Sequence, residues 1–104
     1  MFPKFGLLVR LEAKPGKEAE VVKFLETGLA LVRREPTTPI WFALRLSPSS
    51  FGIFDAFDDE ADRERHLSGP IAQVLMAAAP ELLSRPPTIE SVDILGLKNM
   101  LLSC

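Results

Sequence analysis

Two side chains of this sequence have the chemistry to move a proton near neutral pH. His66 is the only histidine of the chain, and an imidazole with a pKa of about 6.5 suits a general acid or base. Asp55 lies in the alternating stretch FGIFDAF, where Phe51, Ile53 and Phe57 share its side of a predicted strand. A carboxylate among apolar neighbours can acquire a raised pKa and act as a base. We therefore take His66 as the first candidate catalytic base and Asp55 as the second.

Both residues also have a purely structural interpretation. His66 lies near the predicted C-terminal end of a helix, where a positive side chain interacts favourably with the helix dipole. Asp55 is one of four charged residues within the predicted strands, together with Arg10, Arg45 and Asp93. Because an unpaired charge in a sheet is costly, these residues either line a polar pocket or form ion pairs at an interface.

Other chemistries find little support in the sequence. The acidic run Asp58-Asp59-Glu60 has neither calcium-loop spacing nor a histidine at ligand spacing, so we interpret it as the solvated start of a helix and predict no metal site. Phosphate loops, nucleotide fingerprints, CxxC pairs and Ser–His–Asp motifs are absent. The single cysteine, Cys104, is the last residue, and we do not propose it as a nucleophile.

Hydrophobic periodicity predicts the elements that position these side chains. Strands show alternation and helices show apolar residues three and four positions apart. The predicted strands are Phe5–Ala13, Ile40–Leu46, Phe51–Phe57 and Thr88–Leu95. One helix follows Lys14-Pro15-Gly16, and a charged helix from Asp58 to Gly69 leads into an apolar helix that ends near Arg85. The order strand, helix, strand, strand, helix, strand predicts an α+β, ferredoxin-like βαββαβ fold with a four-stranded antiparallel sheet.

The strands carry more apolar residues than a one-sided sheet needs. A sheet with one face in water alternates between apolar and polar residues, and these strands do not. The excess apolar residues are Leu8, Trp41, Ala43, Phe54 and Ala56. We therefore predict a homodimer in which the sheets of two copies pack together, with the apolar tail 97–104 reaching across to the partner. In this interpretation Trp41 packs in the interface; the alternative is that it stacks on a flat aromatic ligand.

Composition sets the broad class of the protein. A chain of 104 residues is long enough for a single domain, with a core over about residues 5–96. The net charge of −2 gives no basic footprint of the kind that nucleic-acid binding requires. We find no signal peptide at the N-terminus and no run near the roughly 20 apolar residues that span a bilayer. With one cysteine in the chain, we expect a cytoplasmic protein.

Two long stretches resemble a known family. FGIFDAFDDEADRERHLSGPIAQVLMAAAPELL resembles the third strand and second helix of the antibiotic biosynthesis monooxygenase-like domains, and LLVRLEAKPGKEAEVVKFL resembles their first strand, turn and first helix. The likeness covers roughly residues 7–95. It implies a dimeric α+β barrel. Members of the family include quinone-forming oxygenases, haem-degrading enzymes and proteins of no known activity, so the resemblance does not fix a reaction.

The resemblance implies a cofactor-independent monooxygenase that acts on a small phenolic, quinol or polyketide-like aromatic substrate with dioxygen. His66 or Asp55 would be the base, and no cofactor is expected. The substrate pocket would be built from Val9, Trp41, Arg45, Phe54, Leu75, Met76 and Ala79. The chain has no tyrosine, whereas some active members contact their substrate through one.

Two alternatives remain beside the oxygenase. The haem-degrading branch relies on an Asn, a Trp and a His at positions that here hold Val9, His66 and Met76, so haem degradation is not expected. The second alternative is a non-enzymatic protein of the same fold that binds a small apolar or aromatic molecule or serves as a stress or accessory protein.

Overall fold

The computed structural model describes residues 2–99 and has the predicted α+β, ferredoxin-like architecture. The predicted second helical region consists of two helices separated by a short turn. The elements are β1 (Phe5–Glu12), α1 (Glu18–Val32), β2 (Ile40–Arg45), β3 (Ser50–Phe57), α2 (Glu60–Leu67), α3 (Pro70–Leu82) and β4 (Thr88–Asp93). The predicted strands β1, β2 and β4 therefore end one or two residues earlier than expected, and α3 ends at Leu82 rather than near Arg85.

The four strands form one antiparallel sheet in the order β2-β3-β1-β4. Asp55 of β3 is paired with Leu7 of β1 on one side and with Trp41 of β2 on the other. These three side chains lie on the face that the helices cover, because paired residues of adjacent strands point to the same side of a sheet. The core lies between this face and the helices; its largest fully buried side chains include Phe51, Phe57, Leu7 and Leu11.

The predicted sheet faces need one correction. Alternation predicts Trp41, Ala43 and Phe54 on the same open face. The register instead pairs Phe54 with Phe42 and Leu8, whereas Trp41 lies opposite Asp55 and Ala43 opposite Ile53, on the helix-covered side. The error arises because β2 is apolar on both sides, so alternation within the strand does not reveal which side faces the helices. The open face, away from the helices, has its large apolar side chains on β2, β3 and β1, whereas Arg10 and Glu90 form an ion pair on the same face towards β4. The apolar residues are Leu8, Ile40, Phe42, Leu44, Phe54 and Ala56.

The helices α2 and α3 begin in different ways, since only α2 has a side-chain cap. Asp59 precedes α2, and its carboxylate accepts a hydrogen bond of 2.8 Å from the backbone N–H of Asp62. The acidic run is therefore a helix start, as predicted. Ser68 ends α2, and the residue before α3 is Gly69. Pro70 occupies the first position of α3, where its missing N–H has no cost.

The chain beyond β4 has no regular secondary structure over residues 94–99. Leu95 is 94% exposed and Leu97 is 46% exposed in the isolated chain. The predicted role of the tail in joining two subunits falls mostly on Met100–Cys104, which lie outside the described residues. Within residues 2–99, no helix has the length and apolar character needed to cross a membrane.

Candidate functional site

His66 joins two carboxylates from different parts of the fold. Its Nε2 lies 3.0 Å from Oδ2 of Asp55, and its Nδ1 lies 2.8 Å from Oε1 of Glu35. The two predicted candidate bases are therefore in direct contact. The imidazole also packs against Phe57, with 5.2 Å between the ring centroids. We refer to Asp55, His66 and Glu35 as the carboxylate–histidine array.

Each member of the array is held by its own element. Asp55 lies in the middle of the buried strand β3, and His66 lies in the last turn of α2. Glu35 follows α1, where its backbone N–H bonds to the carbonyl oxygen of Val32 at 2.9 Å. The hydroxyl of Thr38 donates a hydrogen bond of 2.9 Å to the same Glu35 Oε1 that contacts the imidazole. The array thus ties the sheet, α2 and the loop after α1 together.

Burial and charge shift the pKa values at the centre of the array. Asp55 is only 1% exposed, and this burial raises the pKa of its carboxyl above the ordinary 3.8, although the hydrogen bond and charge of His66 act in the opposite direction. For His66, burial lowers the pKa, but the hydrogen bonds and charges of Asp55 and Glu35 outweigh burial and raise it above the ordinary 6.5. The array therefore favours an imidazolium with an N–H donor for each carboxylate.

A small cavity lies beside the array. It has about 30 Å³ of space open to the centre of a water molecule, enough for one or two waters and too little for an aromatic ring. Side chains from all four strands and from α2 and α3 line it; they include Val9, Trp41, Asp55, His66, Leu75 and Ile89. Ile89 is 42% exposed, so the cavity approaches the surface along β4. We call this space the inner cavity.

Two buried polar atoms of residues that line the inner cavity have no hydrogen-bond partner among residues 2–99. One is Oδ1 of Asp55, the carboxylate oxygen that does not contact His66, and the other is Nε1 of Trp41. Both atoms are buried, and both residues line the cavity. An unpaired buried acceptor and donor are costly unless a ligand or water satisfies them. Together, this acceptor and this donor suit a small ligand that carries a hydroxyl or an acidic C–H group.

Only some of the predicted pocket residues line the inner cavity. Val9, Trp41 and Leu75 line the inner cavity with His66 and Asp55. Phe54 does not, since it lies on the open face of the sheet.

The remaining three predicted pocket residues also lie elsewhere. Met76 and Ala79 border a separate surface depression at the end of α3. Arg45 lies at the edge of β2, where its guanidinium stacks 5.0 Å from the Phe51 ring and donates to the carbonyl oxygen of Pro48 at 2.8 Å. These three residues and Phe54 do not form one pocket with the array in the isolated chain.

Sequence reasoning missed Glu35. No local pattern links Glu35 to His66, which lies 31 positions further along the chain. A carboxylate three residues before a threonine, as in Glu35 and Thr38, was the one available signal, since short polar pairs of this kind often anchor a loop.

Comparisons with known proteins address the fold and the family. No family model matches the chain, and no curated protein matches it. Among solved structures, the NE2512 protein of unknown function from Nitrosomonas europaea is 55% identical, with a TM-score of 0.90 over 93% of this chain and 94% of that one. A Caulobacter crescentus protein provisionally assigned as an antibiotic biosynthesis monooxygenase is 20% identical, with a TM-score of 0.77 over 90% and 92% of the two chains. Another antibiotic biosynthesis monooxygenase is 15% identical, with a TM-score of 0.75 over 88% and 99%.

These comparisons confirm the resemblance inferred from the sequence at the level of fold. The fold is that of the antibiotic biosynthesis monooxygenase-like proteins. With 55% identity over nearly the whole of both chains, this chain belongs to the same family as the Nitrosomonas europaea NE2512 protein.

Proposed function

We propose that this protein is a cofactor-independent monooxygenase that deprotonates a small phenolic, quinol or polyketide-like aromatic substrate and lets the anion react with dioxygen. The observation that carries the proposal is the free Oδ1 of Asp55, a buried carboxylate oxygen at the inner cavity with no partner among the described residues. The fold neighbours named as antibiotic biosynthesis monooxygenases support the reaction class.

Asp55 is better placed than His66 to take the proton. Both nitrogens of His66 are engaged by carboxylates at 3.0 and 2.8 Å, so the imidazole has no free lone pair for a substrate. Asp55 keeps one free oxygen, and its raised pKa makes it a stronger base than an ordinary carboxylate. In this proposal Asp55 is the base and His66 is a positioning residue that orients it through Oδ2.

The reaction needs no external reductant. An activated ring CH₂ loses one proton to Oδ1 of Asp55, and the carbanion that remains gives its electrons to dioxygen. One oxygen atom forms a C–O bond and ends as a ketone; the other leaves as water, taking both hydrogens of the CH₂ group. The net change, CH₂ plus O₂ to C=O plus H₂O, balances in atoms and electrons. The protein supplies the base and an apolar surface around the reacting carbon.

The substrate ring would lie at the mouth of the inner cavity. The cavity has room for a hydroxyl group, a CH₂ group or dioxygen, while the exposed side chain of Ile89 offers an apolar surface for the ring. Trp41 lines the same cavity as Asp55, and in this proposal its unpaired indole N–H donates a hydrogen bond to the developing oxyanion.

We also propose that the protein acts as a homodimer through the open face of the sheet. Phe42, Phe54 and Leu8 form one row across three strands, and Phe42 is 55% exposed in the isolated chain. A contiguous apolar sheet face of this kind is unusual in a monomer in water. A second copy of the same sheet would cover it.

One observation favours a second candidate function, a non-enzymatic binding or accessory protein. The inner cavity is smaller than the few hundred Å³ typical of ligand sites, about 300 Å³ or more. In that case the carboxylate–histidine array would only join α2 and the loop after α1 to the sheet.

Dioxygen consumption separates the two functions. The purified protein is tested against anthrones, quinols and catechols, beside Asp55→Asn and the matched control Asp93→Asn, which changes an exposed aspartate of β4. The oxygenase predicts uptake by the wild type and by Asp93→Asn, and its loss in Asp55→Asn. Equal uptake by all three proteins would remove Asp55 from the reaction. No uptake on any substrate, combined with saturable binding of the same compounds, would favour the binding protein.

A further inference from the structure

His66 separates two spaces in the protein. On one side is the inner cavity with Asp55. On the other is a surface groove of about 220 Å³, which we call the outer groove; it is lined by His66, Glu35 and the charged side chains of Arg34 and Arg65, among others. Among the described residues that line either space, only His66 lines both.

The three members of the array form a continuous path between the two spaces. The path runs from Oδ2 of Asp55 to Nε2 of His66 at 3.0 Å, through the ring, and from Nδ1 to Oε1 of Glu35 at 2.8 Å. Exposure increases along it, since the side chain of Asp55 is 1% exposed, that of His66 8% and that of Glu35 21%. The inner end is thus closed off from bulk water, and the outer end is open to it.

We propose that Glu35 is the solvent-side proton acceptor of the array, so that a proton taken up by Asp55 in the inner cavity is balanced by one released through Glu35 into the outer groove. When Oδ1 of Asp55 is protonated, the imidazolium loses the charge of one partner, and its Nδ1–H passes to Oε1 of Glu35 and then to water. An O–H bond forms on Asp55 as the substrate bond to that hydrogen breaks, and the Nδ1–H bond breaks as an O–H bond forms on Glu35. The Glu35 O–H bond then breaks as water takes the proton as hydronium, so the array ends with the net charge that it had at the start. When Asp55 protonates the substrate-derived oxygen, these proton transfers run in reverse.

The charges around the array are compatible with this path. Asp55 and Glu35 face the two ring nitrogens from β3 and from the loop after α1. Arg34 and Arg65 border the outer groove, and Arg65 is already paired with Asp62 of its own helix. The hydroxyl of Thr38 also donates to Oε1 of Glu35, so this oxygen already accepts a second hydrogen bond beside that of the imidazole.

The inference rests on the proposed function only in making Asp55 the base, and its test needs no substrate. Because His66 is the only histidine, its imidazole N–H signals in an NMR spectrum are unambiguous. The experiment measures the exchange rate of His66 Nδ1–H with water in the full-length wild type and in Glu35→Gln. The control is Glu26→Gln, which neutralises an exposed glutamate of α1. The amide introduced by Glu35→Gln keeps an oxygen that accepts the Nδ1–H bond but takes up no proton.

Glu35 as a proton acceptor and Glu35 as a purely structural partner predict different changes in the exchange rate of His66 Nδ1–H. If Glu35 accepts the proton, Glu35→Gln slows exchange about tenfold or more, since a positioned acid–base group typically contributes about 10²–10⁴-fold to a proton transfer. If Glu35 only holds the ring, the weaker neutral hydrogen bond leaves the exchange rate unchanged or faster, and this result would overturn the proposal. Glu26→Gln is expected to match the wild type.

A second variant covers the case in which Glu35→Gln does not fold. Thr38→Val removes the hydroxyl that bonds to Glu35 Oε1 and leaves the carboxylate, so we expect faster exchange; slower exchange would contradict the proposal. If Glu35→Gln consumes dioxygen normally and its Nδ1–H exchange is not slowed, the proposed role of Glu35 is wrong and the proposed reaction is unaffected. If exchange is slowed in Glu35→Gln but the wild type consumes no dioxygen, the proposed role of Glu35 is supported and the proposed reaction is wrong.

Discussion

The Nε2 atom of His66 and the Oδ2 atom of Asp55 are 3.0 Å apart, and both side chains are almost fully buried. A buried carboxylate is costly without a charged partner, and this one has an imidazole whose other nitrogen is held by Glu35. The contact therefore couples the protonation of the site to the stability of the fold.

The first prediction concerns stability and pH. The pKa of His66 is raised in the folded protein, so its stabilising contribution is complete below the unfolded pKa of about 6.5 and is lost as pH rises through the folded pKa. The raised pKa of Asp55 has the same sign but begins at lower pH, since its contribution is complete below the unfolded pKa of about 3.9 and is lost as pH rises through the folded pKa. We expect the free energy of unfolding in urea to fall from pH 6 to pH 9, by about 1.4 kcal/mol for each unit by which the pKa of His66 is raised.

Asp55→Asn provides the check on this prediction. It removes the charge that supports the imidazolium, so the fall in unfolding free energy between pH 6 and pH 9 should shrink. Asp93→Asn, in an exposed position, should keep the full fall. The same slope in Asp55→Asn and wild type would mean that the pair does not control the titration of His66.

The second prediction concerns Gly28 and the indole of Trp41. A Cβ atom at Gly28, in the middle of α1, would lie 3.5 Å from two atoms of the Trp41 ring, an ordinary van der Waals distance. Gly28→Ala therefore fits, and we expect it to raise the free energy of unfolding by about 0.5–1 kcal/mol, since glycine is a poor helix former. Gly28→Leu would push the ring aside and should lower it by about 1–3 kcal/mol.

Trp41 is the only tryptophan, so its fluorescence follows both Gly28 variants during urea unfolding. A destabilised Gly28→Ala would show that the helix lies closer to the indole than the structure indicates.

The third prediction concerns the open face of the sheet. Phe42→Glu places a charge on the apolar part of this face, on the edge strand β2, and should convert the proposed dimer into a monomer, as measured by light scattering after size exclusion. The matched control is Met76→Glu, since Met76 is 53% exposed and Phe42 is 55% exposed, but Met76 lies on α3. A wild-type monomer, or dissociation by both variants alike, would argue against an interface on this face.

Much of the fold could be predicted from local patterns. The alternation of β1 and β3 placed Leu7, Ile53 and Asp55 on one face, and the register confirms this. The acidic residues before α2 predicted its start, which the bond between Asp59 and the Asp62 N–H confirms. Local rules succeed here because strand alternation and helix caps involve residues that are close in sequence.

Other features depend on contacts between distant parts of the chain. The helix-facing side of β2 is set by its register with β3, and its residues from Ile40 to Leu44 are apolar on both sides. Glu35 joins the site only because the loop after α1 passes the end of α2. The separation of Phe54 and Met76 from the inner cavity likewise follows from packing, which a single sequence does not reveal.

The measurement that tests the central claim most directly is the turnover rate of Asp55→Asn beside His66→Gln, using the best substrate of the dioxygen screen and proteins shown to be folded by circular dichroism. If Asp55 takes the proton and His66 orients it, Asp55→Asn loses about 10²–10⁴-fold in kcat, and His66→Gln loses clearly less, because the free oxygen of Asp55 remains. The contrary result, an inactive His66→Gln beside an active Asp55→Asn, would contradict the account and make the histidine the base.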